Sequence, residues 1–215
     1  MKNRRSLTLL LATFTALSAG CTGDPVPPGA ARPDAALRCR LAPPGARLLL
    51  YAGRVSSEKR VDLLPPMLAL LDASHVLVVA GAGAAMPSLE RAARRLGVER
   101  RVVTLGHLTD RAALATLMAT ADCFVHPNPA EPFGLCPLEA LAAGCRVVGP
   151  DSAGTAETLG GRGAVLVAPG DPGALAAGVR RALALPRPRP DLSSLSWAET
   201  FAREWAVYGI LARAA

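Results

Sequence analysis

Short apolar runs, each closed by a glycine or a polar turn, recur through the middle of this chain and restrict its fold more than any other feature. Residues 48–52 run into Gly53, 76–80 into Gly81, 101–105 into Gly106 and 121–125 into His126-Pro127-Asn128, and 145–150 and 163–167 follow the same plan. Continuous apolarity without alternation is the pattern of strands buried on both faces. Helical spacing fills the gaps: 62–71 with Pro65 and Pro66 in its first turn, 87–96, a helix capped by Thr109 or Asp110 that ends near 119, and one capped by Asp171 that ends near 185. These caps are residue types whose side-chain oxygens satisfy the first helical amides. Strand and helix alternating at this spacing predict an α/β fold, a doubly wound parallel sheet of Rossmann-like type that binds ligands at the carboxyl ends of its strands. With 51% hydrophobic but only 4% aromatic residues, the core must be Ala, Leu and Val, which suits helices packed on such a sheet.

A chain of 215 residues is long enough for one well-cored domain of this kind, expected over 46–185. Residues 24–45 read as a linker, and 186–215 as a stiff proline-rich linker followed by a helix over 197–212. Trp197, Phe201, Trp205 and Tyr208 stripe that helix as a packing face.

The stretch 130–144 concentrates the chemistry. Pro132 and Gly134 make a loop, Pro137 suits a first helical position because its missing N–H is no loss there, and Gly144 can end the helix in a left-handed cap. Glu131 then lies in the loop and Glu139 in the first helical turn, both able to face one cavity. The amides near Gly134, Leu135 and Cys136 would offer an anion site. On local pattern alone, Glu139 does no more than complement the helix dipole or close a capping box, and Glu131 is a solvated loop residue.

The other turns carry less. Arg54 and Lys59 follow the first strand, where two cations can neutralise a pyrophosphate; Glu58 beside them is expected to position Lys59. Gly81-Ala82-Gly83 lacks the third glycine and the acidic partner of a dinucleotide fingerprint, so it reads as a tight turn. His107 is expected in a pocket or at the surface and His126 at a structural turn. None of the histidines has metal-ligand spacing. The cysteines Cys21, Cys39, Cys123, Cys136 and Cys145 show no C-x-x-C pairing and read as buried free thiols. A net charge of +7 suits phosphate-bearing ligands or an anionic membrane surface. Arg91, Arg94, Arg95, Arg100 and Arg101 read as a solvated face, without the aromatic interleaving of a nucleic-acid platform.

Glu131-x7-Glu139 with Phe133-Gly134 between, together with the loop Gly53-Arg54-x3-Glu58-Lys59, resembles the signature of retaining GT-B glycosyltransferases of the family 4 type. The resemblance covers 46–208 and matches only the C-terminal, donor-binding half of such enzymes. It implies metal-independent transfer of a sugar, with retention, from a nucleotide diphosphate sugar to an acceptor hydroxyl. By that resemblance Arg54 and Lys59 hold the diphosphate, Glu131 the sugar hydroxyls and Glu139 the ribose diol. Gly53, Gly83, Gly106, His107, Phe133, Gly134 and Leu135 line the donor site, and no cofactor or metal is needed. The segment 154–157 resembles the family's G-G-x-P-E turn with two residues replaced. The acceptor site would lie on a separate N-terminal half.

The start of the chain reads two ways. Lys2, Arg4 and Arg5 before an apolar run at 7–17, then Leu17-Ser18-Ala19-Gly20-Cys21, have the layout of an exported, lipid-anchored protein. Val26-Pro27-Pro28-Gly29 and the helix-like 33–38 instead resemble the passage out of the N-terminal domain in this glycosyltransferase family, which makes 1–23 the remnant of a longer, cytoplasmic chain, peripheral at the inner membrane. The alternatives to an enzyme half are a non-catalytic nucleotide-sugar-binding module and an exported lipoprotein on the same fold.

Overall fold

The computed structural model describes residues 31–131, 134–190 and 192. Residues 1–30, with the export layout and Val26-Pro27-Pro28-Gly29, the helix expected over 197–212 and Phe133 lie outside them.

Six strands form one sheet: β1 (Arg47–Ala52), β2 (His75–Ala80), β3 (Val102–Gly106), β4 (Cys123–Val125), β5 (Arg146–Pro150) and β6 (Val165–Val167). Every pairing is parallel and the order is β3-β2-β1-β4-β5-β6, the doubly wound arrangement expected. Side chains alternate between faces along each strand, which divides the core into two layers. Leu49, Tyr51, Leu77, Val79 and Val125 pack on one side with the helices α2 (Leu64–Ala69), α3 (Met86–Arg95) and α7 (Pro172–Ala184). On the other side, Leu48, Leu50, Val76, Val78 and Phe124 pack with α1 (Ala35–Leu41), α4 (Arg111–Thr120) and α5 (Leu135–Ala142), and Leu159 of α6 (Ala153–Leu159) joins this layer. Asp110 caps α4 by accepting from Ala112 N and Ala113 N, and Asp171 caps α7 by accepting from Gly173 N.

Several boundaries differ from expectation for local reasons. Pro65 and Pro66 do begin a helix, but α2 runs only from Leu64 to Ala69, and a 3-10 turn over Val61–Leu63 replaces the expected first turn. Residues 154–157 are not a turn: they lie inside α6, which Ser152 and Thr155 close with a reciprocal capping box. The stretch 24–45 is more than a linker: it carries α1, the helix-like segment expected over 33–38, which runs on to Leu41 and buries Leu37 and Leu41. Asp34 caps that helix, and Arg38 ties it to the sheet through a 2.7 Å ion pair with Asp122, whose Oδ2 also accepts from Leu48 N at 2.8 Å. Arg101 is not solvated, since its guanidinium donates to the carbonyls of Leu68, Leu71 and Asp72 at the end of α2. Arg187 likewise donates to Ala119 O, Ala121 O and Gly144 O, so the proline-rich segment is tied to the domain. Cys123 and Cys145 are buried free thiols as expected, whereas Cys39 is exposed.

Gly81 and Gly83 fix the top of the sheet. A Cβ at Gly81 would stand 1.8 Å from Gly53 O, and one at Gly83 2.2 Å from Val55 O. Only glycine permits that approach, and it lets Gly53 N donate to Ala80 O and Val55 N to Ala82 O. The turn after β2 is therefore a seat for the loop that carries Arg54.

Candidate functional site

Strand order reverses between β1 and β4, and in open α/β sheets the crevice outside the carboxyl ends of the strands at such a point is where ligands bind. A cavity of about 380 Å³ opens there, lined from β1 by Tyr51, Ala52, Gly53 and Arg54 and from beyond β4 by His126, Asn128 and Glu131. Lys59 and the start of α5, from Gly134 to Pro137, complete the wall. A second cavity, of about 450 Å³, lies beside it over the ends of β2 and β3, with Gly81, Ala82, His107, Leu108 and Leu114 in its wall. Ala52, Gly53, Arg54 and Cys136 line both, so the two are chambers of one cleft that meet at the Arg54 loop.

Lys59 stands at the end of a 3-10 turn over Ser57–Lys59, which the left-handed Arg60 (φ 51) separates from the next. Its Nζ lies 2.7 Å from Glu131 Oε2 with both side chains largely buried. Asn128 Nδ2 donates to the same Glu131 oxygen at 3.2 Å, while Asn128 Oδ1 accepts from Ala130 N and so fixes the loop. Burial alone would raise the Glu131 carboxyl, but the hydrogen bonds from Lys59 and Asn128 outweigh it and hold the group below its ordinary value. The carboxylate is therefore ionised and held by two donors.

Tyr51 donates its hydroxyl to Arg54 O at 2.6 Å and anchors the backbone of that loop; burial pushes the phenol well above its ordinary range. The Arg54 guanidinium is exposed and pairs with Glu58 at 3.2 Å. This corrects the expectation that Glu58 positions Lys59: the partner of Lys59 is Glu131.

The helix α5 begins two residues earlier than Pro137 suggests. Gly134, in the left-handed region at φ 70, is its N-cap, and no side chain caps the helix, so the Leu135 and Cys136 amides stand at an open N-terminus in the cavity wall. The earlier start moves Glu139 out of the first turn. There it faces α4 and pairs with Arg111 at 3.4 Å, 43% exposed and outside both chamber walls. Glu131 and Glu139 thus do not share a cavity. Of the other expected site residues, Gly53, Arg54, Lys59, Glu131, Gly134 and Leu135 come together in the first chamber and His107 stands in the second. Gly106 ends β3 in the left-handed region at φ 72, and Gly83 packs on the Val55 carbonyl; neither lines a chamber wall.

The sequence did not place Tyr51, Asn128 or His126 in the wall. The last of these could have been found, because His126-Pro127-Asn128 follows the strand beside the reversal point. Burial pushes the Cys136 thiol up to about 11 and pulls the His126 imidazole down to about 4, so both are neutral at neutral pH. Among the described residues no group of three or more His, Cys, Asp and Glu is placed to hold a metal ion.

A Rossmann-like domain with a two-chambered cleft at its reversal point, cationic at the junction, belongs to the open α/β folds that bind ligands outside the carboxyl ends of their strands. The match to known sequences is narrower: residues 46–184 fit the family described as glycosyl transferases group 1. The chain belongs to this family, and its fold is that of the C-terminal domain of a GT-B glycosyltransferase. It is 40% identical over 155 residues to a glycogen synthase of Mycobacterium tuberculosis, a match that covers 70% of this chain and 36% of that protein. It is 36% identical over 187 residues to D-inositol 3-phosphate glycosyltransferase 2 of Catenulispora acidiphila, covering 77% of this chain and 44% of the relative. Among solved structures, Anabaena HepE in complex with UDP and glucose matches with a TM-score of 0.67 at 25% identity, over 80% of this chain and 51% of that one. The chain thus spans 36% to 51% of the length of these relatives.

Proposed function

We propose that this chain is the donor-binding half of a retaining, family 4 type glycosyltransferase, which moves a sugar from a nucleotide diphosphate sugar to an acceptor hydroxyl. The observation that carries the reading is that Arg54 and Cys136, the latter at the open N-terminus of α5, line both chambers, with Lys59 beside them in the wall of the first. A diphosphate fits such a junction, since cations and helix-start amides both favour it. Its nucleoside would then occupy the second chamber near His107 and its sugar the first, against Glu131. HepE, with UDP and glucose bound, gives independent support for a nucleotide ligand on this fold.

As the bond between sugar and diphosphate breaks, negative charge grows on the leaving oxygen, and Lys59, Arg54 and the α5 amides stabilise it. That neutralisation needs no metal ion in this reading. The ionised Glu131 accepts hydrogen bonds from sugar hydroxyls and faces the positive charge that builds on the sugar ring in glycosyl transfer. The acceptor, and the groups that orient it, belong to an N-terminal half. The chain works in the cytoplasm, where nucleotide sugars are, and its basic surface suits contact with the anionic inner membrane. Among the described residues no helix is long and apolar enough to cross one.

Glu139 tests the nucleoside end of this arrangement. To hold a ribose diol it must leave Arg111, an exposed partner at 3.4 Å that holds it weakly. Glu139→Ala is expected to weaken a nucleoside diphosphate by about 1–3 kcal/mol and to leave inorganic pyrophosphate unchanged. Calorimetry with UDP, GDP and pyrophosphate, run in EDTA and again in Mg²⁺, measures both, and the affinities should be the same in the two buffers. Equal losses for nucleotide and pyrophosphate would remove the ribose assignment.

A further inference from the structure

Among the described residues His126 is the one wall residue with a buried side-chain polar atom that has no partner inside the protein. Its backbone is fixed, because His126 N donates to Val148 O at 2.8 Å and so extends the pairing of β4 with β5. The ring is only 6% exposed and packs beside Gly149, where a Cβ would stand 3.7 Å from the His126 Cβ and Cδ2. It lines the first chamber, yet Nε2 makes no hydrogen bond. Among the described residues the only other buried side-chain polar atom in that state is Ser56 Oγ, which lies in neither chamber wall. A buried polar atom is normally paired, and an unpaired one on a residue of the cavity wall points to a partner that arrives with the ligand.

The chemistry of that partner follows from the proton. The neutral ring carries one proton; placed on Nδ1, toward the Asn128 backbone, it leaves the unpaired Nε2 a lone pair to offer. Lys59 opposes a second proton, and although Glu131 favours one, burial prevails, so the ring remains neutral. A lone pair repels the oxygens of an ionised diphosphate and needs an O–H or N–H. Nucleobase and ribose belong to the other chamber, whose wall does not include His126. What remains in the first chamber is a sugar hydroxyl.

We infer that His126 is a specificity-determining contact, whose Nε2 accepts a hydrogen bond from a hydroxyl of the sugar to be transferred. The inference rests on the proposed donor site. It divides the labour in the first chamber: Lys59 meets the diphosphate, while His126 and Glu131 read hydroxyls as two acceptors of different charge. A donor sugar that lacks the matching hydroxyl would leave Nε2 unpaired, and such a loss discriminates more strongly than a lost apolar contact.

The test uses the whole chain and compares UDP with UDP-glucose and GDP with GDP-mannose by calorimetry. His126→Phe keeps an aromatic ring without nitrogens; it is expected to lose about tenfold in affinity for the sugar nucleotide that the wild type binds and to retain its affinity for the matching nucleoside diphosphate. His126→Gln, which offers a carbonyl at similar reach, should recover most of the loss. A second measurement needs no variant: in wild type labelled with ¹⁵N-histidine, the unprotonated Nε2 resonance should move upfield with the sugar nucleotide and stay in place with the nucleoside diphosphate. Equal losses for both ligands in His126→Phe, no loss for either, or an Nε2 resonance indifferent to the sugar would each overturn the inference while leaving the donor site standing. Wild type that binds none of the four ligands would overturn the donor site, and the inference with it.

Discussion

Lys59→Ala is expected to weaken pyrophosphate binding more than any other single substitution in the cleft, and to lower turnover of the complete enzyme by roughly 10²–10³-fold, the loss typical of removing one preorganised donor from a developing anion. Two effects act in the same direction. The diphosphate loses its buried cation, and Glu131 loses the closer of its two donors, at 2.7 Å, keeping only Asn128. An anionic ligand would then approach a carboxylate that nothing neutralises. Arg54→Ala should do less, because its guanidinium is exposed and already shared with Glu58, where solvent screens the interaction. Calorimetry of the two variants with pyrophosphate decides the ranking. If Lys59→Ala binds pyrophosphate as tightly as wild type, Lys59 is only a structural partner for Glu131.

The same pair carries a pH dependence of definite sign. The folded Glu131 carboxyl titrates below its ordinary value, so the pair contributes its full stability above the ordinary carboxylate range. That contribution fades as pH falls through the lowered value.

Turnover of a sugar donor by this chain alone is expected to be absent at enzymatic rates and to appear when an N-terminal half of a related enzyme is supplied. Orientation of two reactants in one cleft accounts for about 7–11 kcal/mol of barrier lowering, and this chain spans only 36% of the first relative and 51% of the HepE structure. The proposed donor site leaves the acceptor hydroxyl unplaced. Release of nucleoside diphosphate, followed with and without the added half across a panel of donors, separates the outcomes. Robust acceptor-dependent turnover by the chain alone would show that the catalytic machinery is misassigned, whereas no turnover and no nucleotide binding in either case would favour loss of function altogether.

The sheet was legible because burial on both faces leaves a strong mark: residues 48–52 and 76–80 are apolar throughout, and no helix of a small domain needs five consecutive apolar positions. Helix starts were legible where a capping side chain marks them, as at Asp110 and Asp171. They were misread where backbone conformation decides. Pro137 advertises a first helical position, but Gly134 in the left-handed region starts α5 earlier, and that shift is what carries Glu139 away from the cavity of Glu131. The pairing of Lys59 with Glu131 joins positions 72 apart in sequence, and no local pattern encodes which of two neighbouring charges, Glu58 or Glu131, a lysine will choose. His126 was hidden for a related reason: a turn histidine and a ligand-facing one have the same local sequence, and only the place of β4 beside β1 tells them apart.

The junction of the two chambers is expected to bind the diphosphate of a nucleotide sugar. Amide chemical-shift mapping of the ¹⁵N-labelled chain, titrated with UDP-glucose and GDP-mannose, tests it most directly. The largest shifts are expected at Gly53, Arg54, Lys59, Glu131, Gly134, Leu135 and Cys136, with a second group at Gly81, Ala82 and His107. Shifts confined to the arginine-rich surface of α3 around Arg91, Arg94 and Arg95, or none at all with either ligand, would contradict it.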